Sequence, residues 1–397
     1  MRVAGAGHSF TDAVLTDGTL LSLERMGRVL DADPATGLVR VEAGITLHEL
    51  NRALWELGLA LENLGDIDVQ SVAGATATGT HGTGARLRNL SAAIESVELV
   101  TADGSTVECD EAGDPDDWRA ARVSLGALGV VTAVTLRAVP AFTLEGVDSS
   151  LPLEEALGRL GELVDGNDHF EFFTFPHSGL ALTRTNNRVE GPPQPRSRGR
   201  EWIDDVLVRN HFFGACCRVG RAQPRLIPRI NRAIARASGT SRRVDRCYAI
   251  FASPRRVRFT EMEYAIPRAR AADAVRAVRA VSDEGRFDVC FPIEVRFVAR
   301  DDALLSPARG RDTCYIAVHS YEGMEWEPYF RAVEGVMDGF EGRPHWGKRH
   351  FQTAGTLAER YPEWDRFAAV RARLDPGGLF ANSYVQRVLG SAVGVPA

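Results

Sequence analysis

Ser71-Val72-Ala73-Gly74-Ala75-Thr76-Ala77-Thr78-Gly79-Thr80-His81-Gly82-Thr83-Gly84 is a run of glycine, alanine, serine and threonine interrupted only by one valine and one histidine. Side chains this small let a backbone lie against something flat or bulky, while hydroxyls and exposed N–H groups supply hydrogen bonds to phosphates and ring edges. A packed helix–helix contact is the plainer reading, but Gly79, Gly82 and Gly84 would weaken such a helix. A second stretch, Gly5-Ala6-Gly7-His8-Ser9-Phe10, follows the short apolar pair Val3-Ala4. Its glycines permit close approach of backbone to phosphate. No third glycine completes a dinucleotide fingerprint, so taken alone it would read as a turn with a surface histidine.

Regular elements surround these stretches. Leu38 to Ala43 alternates as a strand should, and Thr46 and Glu49 stand at capping-box spacing. Leu47, Leu50, Leu54 and Leu57 then share a helical face that Gly58 ends. Residues 98–101 and 105–108 flank Ala102-Asp103-Gly104, a hairpin signal. Val130 to Val139 reads as a β-branched strand stopped by Pro140. Further on, strands at 169–175, 259–266, 289–299 and 313–321 and helices near 271–284 and 326–340 suggest a mixed sheet covered by helices. Residues 186–200, rich in proline, glycine and arginine, read as a mobile loop. A chain of 397 residues is too long for one core, so two domains and an α+β class are expected.

The 47 basic and 53 acidic side chains leave a net charge of −6, which argues against a nucleic-acid partner. Arg218 to Arg246 is locally rich in arginine, most simply a solvated face. No apolar run approaches the roughly 18 residues needed to span a bilayer, so no transmembrane segment is expected. The N-terminus carries no secretory h-region, and the six cysteines form no CxxC pair. Reduced thiols and a cytoplasmic location fit, with membrane association left open.

Pro292 to Val298 alternates with period two, placing Ile293, Val295 and Phe297 on one face and Glu294 and Arg296 on the other. In 314–321, Tyr315, Ala317, His319 and Tyr321 likewise share a face. An ordinary half-buried strand with a solvent-facing ion pair would look the same. Two such strands side by side would make the floor of a polyol pocket. His345, Lys348 and His350 are set aside as metal ligands because no carboxylate or cysteine accompanies them, and no metal is expected.

Six stretches in order, GAGHSFTD at 5–12, VEAGITL at 41–47, SVAGATATGTHGTG at 71–84, LGALGVV at 125–131, EVRF at 294–297 and RPHWGKRH at 343–350, resemble the vanillyl-alcohol-oxidase-type flavoproteins. The resemblance is to the branch of L-gulonolactone, D-arabinono-1,4-lactone and alditol oxidases, and it runs over nearly the whole chain. It implies a two-domain flavoprotein. An FAD-binding, PCMH-type domain would occupy residues 1–141, and a mixed-sheet substrate (cap) domain residues 142–342. Residues 343–397 would complete the active site and return to the first domain. Family members carry a strand–helix unit before the GxGHS motif, and only four residues precede Gly5 here, so that first unit is read as missing.

The resemblance also implies FAD, bonded covalently to His8 through the flavin 8α position, with Gly5, Ala6, Gly7, His8 and Ser9 along the pyrophosphate. Ser71, Gly74, Thr78, Gly79, Thr80 and His81 would line the flavin and its diphosphate, and Val131 would touch the isoalloxazine region. Gly65, in Asn63-Leu64-Gly65-Asp66, would lie over the flavin edge that dioxygen reaches, where oxidase members tend to carry glycine. Glu294, Arg296, His319 and Lys348 map onto the catalytic positions, while Tyr321 stands where the family often has threonine. The implied reaction passes hydride from a lactone carbinol to flavin and then electrons to dioxygen, giving hydrogen peroxide and an ascorbate-type enediol. A dehydrogenase using a cytochrome or quinone, an alditol oxidase and an inactive shell are the alternatives.

Overall fold

The computed structural model describes residues 1–391 apart from 198, 200, 201, 203–206, 208, 209 and 286. Two large sheets organise them. The first is five-stranded, ordered Val29–Asp33, Leu38–Glu42, Val130–Arg137, Ile94–Val100 and Thr106–Asp110. The hairpin expected around Gly104 is its edge, with Val97 opposite Cys109 and Gly104 at φ 84°. Leu47–Glu56 forms a helix across this unit, opened by the capping box in which Thr46 and Glu49 bond each other's backbone N–H groups. Leu47, Leu50 and Leu54 enter the core beneath it, and Gly58 at φ 73° lets the chain turn back. Phe367, Val370, Tyr384 and Val388, from near the end of the chain, join the same core.

The second sheet has eight strands, ordered Ser241–Arg246, Thr143–Pro152, Leu180–Val189, His169–Thr174, Ile293–Val298, Thr313–Tyr321, Phe259–Pro267 and Arg343–Pro344. The mixed sheet expected from sequence is antiparallel in every one of these pairings. For His169–Thr174 and Leu180–Val189 the connection explains why: 175–179 is far too short to carry a parallel crossover. The only parallel pair among the named strands joins Arg2–Ala4 to Leu20–Ser22. Residues 186–189, read as loop, continue the strand Leu180–Val189 and pair with 143–146, while Arg198 and Arg200 lie outside the described residues.

One face of the large sheet is apolar. Ile293, Val295, Phe297, Cys314, Ile316 and Val318 pack with Val275 and Val278 of the helix Ala271–Glu284 and with Phe330 and Val333 of the helix Glu327–Asp338. Burying that face against helices leaves the other, polar face turned toward the glycine-rich segments of the first unit. Gly84 N donates to Phe297 O at 2.6 Å, and Phe297 N donates to Thr83 Oγ1 at 3.1 Å. The glycine-rich run is thereby tied to the strand that carries Glu294 and Arg296. No helix among the described residues is long and apolar enough to cross a membrane, and none of the six cysteines is in a disulfide.

Candidate active site

Strand register assembles the polar face. Phe173, Glu294, Ala317 and Glu263 stand in one cross-strand row, Glu171, Arg296, Tyr315 and Ala265 in the next, and His319 faces Glu261. This face borders a cavity of about 1560 Å³ whose lining includes His8, Gly65, Asp66, Glu261, Glu294, Arg296, His319 and Lys348. Pockets for small molecules run to about 1,000 Å³, so this one has room for a dinucleotide and a second small molecule. The expected catalytic residues Glu294, Arg296, His319 and Lys348 therefore meet in one place. Glu294 and Arg296 are buried, 8% and 7% exposed, which overturns the solvent-facing ion pair.

Arg296 is surrounded by acid. Its guanidinium contacts Glu294, its Nε lies 2.9 Å from Glu171 Oε2, and Nη2 is 3.5 Å from Asp66 Oδ2. Asp66 also pairs with Arg255 at 2.6 Å. Burial works against the Asp66 carboxylate, yet Arg255, Arg296 and Lys348 outweigh it and hold the group well below the usual range. Glu294 goes the other way. Burial pushes it up to about 8, with Asp66, Glu171 and Glu261 adding repulsion against the pull of Arg296. The environment thus splits neighbouring carboxylates into one that stays ionised and one that can hold a proton.

His319 is fixed by Nδ1, which donates to Pro292 O at 3.1 Å and leaves Nε2 3.6 Å from Glu261 and 4.0 Å from Glu294. Burial lowers its pKa despite Glu261, so the ring is neutral and Nε2 offers a lone pair to the cavity. Lys348 reaches Glu261 and sits 5.2 Å from the Phe10 ring centroid. Burial opposes its charge, but Glu261 and Glu263 prevail and its pKa rises. It is the only lysine in the chain.

Several of the expected FAD positions border the same cavity. His8, Ser9, Gly65, Thr78, Thr80 and His81 line the cavity. Gly5 packs on the glycine-rich run 71–84: a Cβ there would stand 2.4 Å from Ser71 Oγ and 3.7 Å from Gly74 Cα. Ser71 caps the short helix Val72–Ala77 by accepting from Gly74 N. Ala6 and Gly7 are exposed beside them, with Gly7 at φ 71°. Gly5, Ala6, Gly7, Ser71, Gly74, Gly79 and Val131 are not on the cavity lining; a Cβ at Gly79 would meet Pro307 and Val123, and Val131 packs against the first core in the strand Val130–Arg137.

These residues fit a flavin dinucleotide. The chain crowds together where glycine alone is tolerated, and a buried Gln70 Oε1 on the cavity lining has no partner within the protein. They fit a metal less well, though for a different reason than the sequence suggested. A carboxylate does accompany His345, because His81, Glu263 and His345 offer ligand atoms within 4.8 Å of one another. His345 Nδ1, however, accepts from Gly347 N at 3.0 Å, so the neutral ring carries its proton on Nε2, the nitrogen that would have to face an ion. Burial holds this ring neutral down to about 3.

Sequence comparison agrees with this geometry. Residues 134–388 match the family described as D-arabinono-1,4-lactone oxidase, and residues 1–110 match an FAD binding domain. The chain belongs to the D-arabinono-1,4-lactone oxidase family. It is 53% identical over 390 residues to L-gulono-1,4-lactone dehydrogenase of Mycobacterium tuberculosis, covering 98% of this chain and 90% of that protein. It is 34% identical to L-gulonolactone oxidase of Bos taurus, covering 98% and 89%. Cholesterol oxidase from Brevibacterium sterolicum, at 19% identity and a TM-score of 0.81 over 98% of this chain and 89% of that one, shares the fold. The chain is therefore a vanillyl-alcohol-oxidase-type flavoprotein with FAD as cofactor, an oxidoreductase of the aldonolactone oxidase and dehydrogenase family.

Sequence reasoning missed Glu171, Glu261, Glu263 and Arg255, and gave Asp66 no role. For two of these the signal was present. In Phe259–Pro267 the alternation sets Glu261 and Glu263 opposite Met262, Tyr264 and Ile266, the same pattern that singled out Glu294 and Arg296.

Proposed function

We propose that this protein oxidises the C2 carbinol of a sugar 1,4-lactone, of the L-gulono- or D-arabinono- type, with dioxygen as final acceptor. The observation that carries the reading is that one cavity is lined both by Glu294, Arg296, His319 and Lys348 and by His8 and Gly65. FAD, when bound, supplies the two-electron acceptor for the carbinol hydride. The Glu294–His319 pair, 4.0 Å apart, takes the hydroxyl proton, while Arg296 and Lys348 stabilise the negative charge that develops on the substrate oxygen. A neutral His319 with a free Nε2 lone pair can accept a proton at neutral pH, and Glu294, near 8, becomes a base as the pH passes that value.

On this reading residues 1–141 hold the cofactor, covalently through His8. Residues 142–342 hold the substrate, and the segment from 343 brings Lys348 to both. Positions 392–397 of that segment lie outside the described residues. Dioxygen is favoured by Gly65, which lines the cavity with no side chain to narrow it; an added Cβ would lie 3.2 Å from His81 O. A dehydrogenase passing electrons to a cytochrome or quinone is the second reading, favoured by the name of the Mycobacterium tuberculosis relative. Rapid reoxidation of the lactone-reduced protein by dioxygen, with peroxide formed and with Gly65→Ala slower, would support the oxidase. Reoxidation only by an artificial dye, with equal rates in the two forms, would transfer the protein to the dehydrogenase reading.

A further inference from the structure

Residues 211–258 contain twelve arginines and a single carboxylate, Asp245, in a chain whose net charge is −6. Arg218, Arg221, Arg225, Arg229, Arg232 and Arg236 recur every three or four residues, and all six are exposed. The spacing follows the helix Phe213–Ala222, a short 3-10 turn, and the helix Ile227–Ala237. Ile227, Asn231 and Ala235 are the buried side of the second helix, so Arg229, Arg232 and Arg236 form its outward stripe. Paired arginines are the rule elsewhere, as at Arg40, Arg159 and Arg366. Arg218, Arg225, Arg229, Arg232 and Arg236 have no carboxylate partner among the described residues.

Apolar side chains stand among these cations. Phe212 is 58% exposed and Val219 47%, and Trp202 and Leu207, just before this stretch in sequence, are also exposed. The surface also adjoins the active-site cavity, since Phe212, Ile234, Ala237, Gly239, Arg256 and Arg258 all line it. A solvated helix face explains isolated arginines, but not unpaired arginines interleaved with exposed phenylalanine and valine around a cavity mouth.

We propose that this surface docks the protein, from one side and without insertion of a helix, on an anionic phospholipid bilayer. Guanidinium groups would meet lipid phosphates bidentately, while Phe212 and Val219 enter the headgroup region. Phe212 and Val219 among the cations suit a surface that offers anionic phosphates over an apolar interior, and an acidic protein or a nucleic acid is the alternative that the vesicle measurement separates. Docking would turn this side of the cavity toward the lipid. The inference does not depend on the identity of the substrate.

Cosedimentation of the FAD-loaded full chain with large vesicles tests it. Binding is expected to vesicles of equal parts phosphatidylcholine and phosphatidylglycerol, at least about tenfold tighter than to phosphatidylcholine alone, and lost near 1 M salt, where the screening length is about 3 Å. The quadruple variant Arg225→Gln, Arg229→Gln, Arg232→Gln and Arg236→Gln should lose that binding while turning over lactone in free solution at the native rate. Val219→Ser should weaken binding with its salt dependence kept. Equal affinity for both vesicles, undiminished binding of the quadruple variant, or retention on heparin without vesicle binding would overturn the proposal.

Discussion

Lys348, the only lysine in the chain, carries its ammonium onto one carboxylate oxygen of Glu261, and the other oxygen lies 3.6 Å from His319 Nε2. One buried carboxylate thus orients two groups that border the cavity. Glu261→Gln should slow anaerobic reduction by lactone about tenfold or more with a smaller change in KM, because positioning rather than binding is lost. A second readout is specific to the pair. Reductive methylation with isotopic formaldehyde labels one lysine only, apart from the terminal amine. Its titration should fall in Glu261→Gln, since Glu261 is the leading group that raises it against burial. Identical titration in both proteins would exclude the pairing.

Glu294 sits near 8 because burial penalises its charge. If it helps remove the hydroxyl proton, the reduction rate should rise with pH through about 8. Glu294→Gln should be about a hundredfold slower or more and should lose that rise. The same shift has a sign for stability. A carboxyl whose folded pKa lies above its ordinary 4.5 binds its proton more tightly when folded, so its contribution becomes less favourable as pH climbs from 4.5 to about 8. Thermal melts should show Glu294→Gln gaining on the native protein across that window. A constant difference would mean that Glu294 titrates normally.

Gly5 and Ser71 join the two glycine-rich segments. In Gly5→Ala the new methyl would stand 2.4 Å from Ser71 Oγ, so the serine must leave its bond to Gly74 N. Loss of such a cap costs about 1 kcal/mol, and the melting temperature and FAD retention should both fall. Ser71→Ala added to Gly5→Ala should restore part of the loss. A silent single variant would contradict so close a contact between Gly5 and Ser71.

His8 lines the cavity with a pKa lowered first by burial and then by Lys348, so its ring is neutral and nucleophilic at pH 7. Acid precipitation of the flavin-loaded protein should leave colour in the pellet, and His8→Ala should release it to the supernatant. Colour released from the unmutated protein would show non-covalent binding.

Much of this was legible where local chemistry decides. The Thr46–Glu49 capping box, the hairpin at Gly104 and the strand Thr313–Tyr321 follow from neighbours in sequence. Period-two alternation also singled out Glu294 and Arg296. What it could not supply was the partner strand: Glu171 meets Arg296 only because His169–Thr174 pairs with Ile293–Val298, across more than a hundred residues of chain. The antiparallel order of the large sheet was hidden for the same reason, since Thr143–Pro152 and Ser241–Arg246 carry too little alternation to be recognised singly. Gly79 was grouped with its neighbours in the run, but the sequence could not show that it turns there at φ 74°, with Pro307 where a side chain would stand.

The central claim is that a lactone is oxidised within this cavity. Anaerobic rapid mixing of the FAD-loaded protein with L-gulono-1,4-lactone, D-arabinono-1,4-lactone and an open-chain alditol, followed by the visible flavin absorbance, tests it directly. A lactone should bleach the flavin at least about tenfold faster than the alditol, and Glu294→Gln should suppress that bleaching about a hundredfold. Faster bleaching by the alditol, no bleaching by either lactone, or an unaffected Glu294→Gln variant would contradict it.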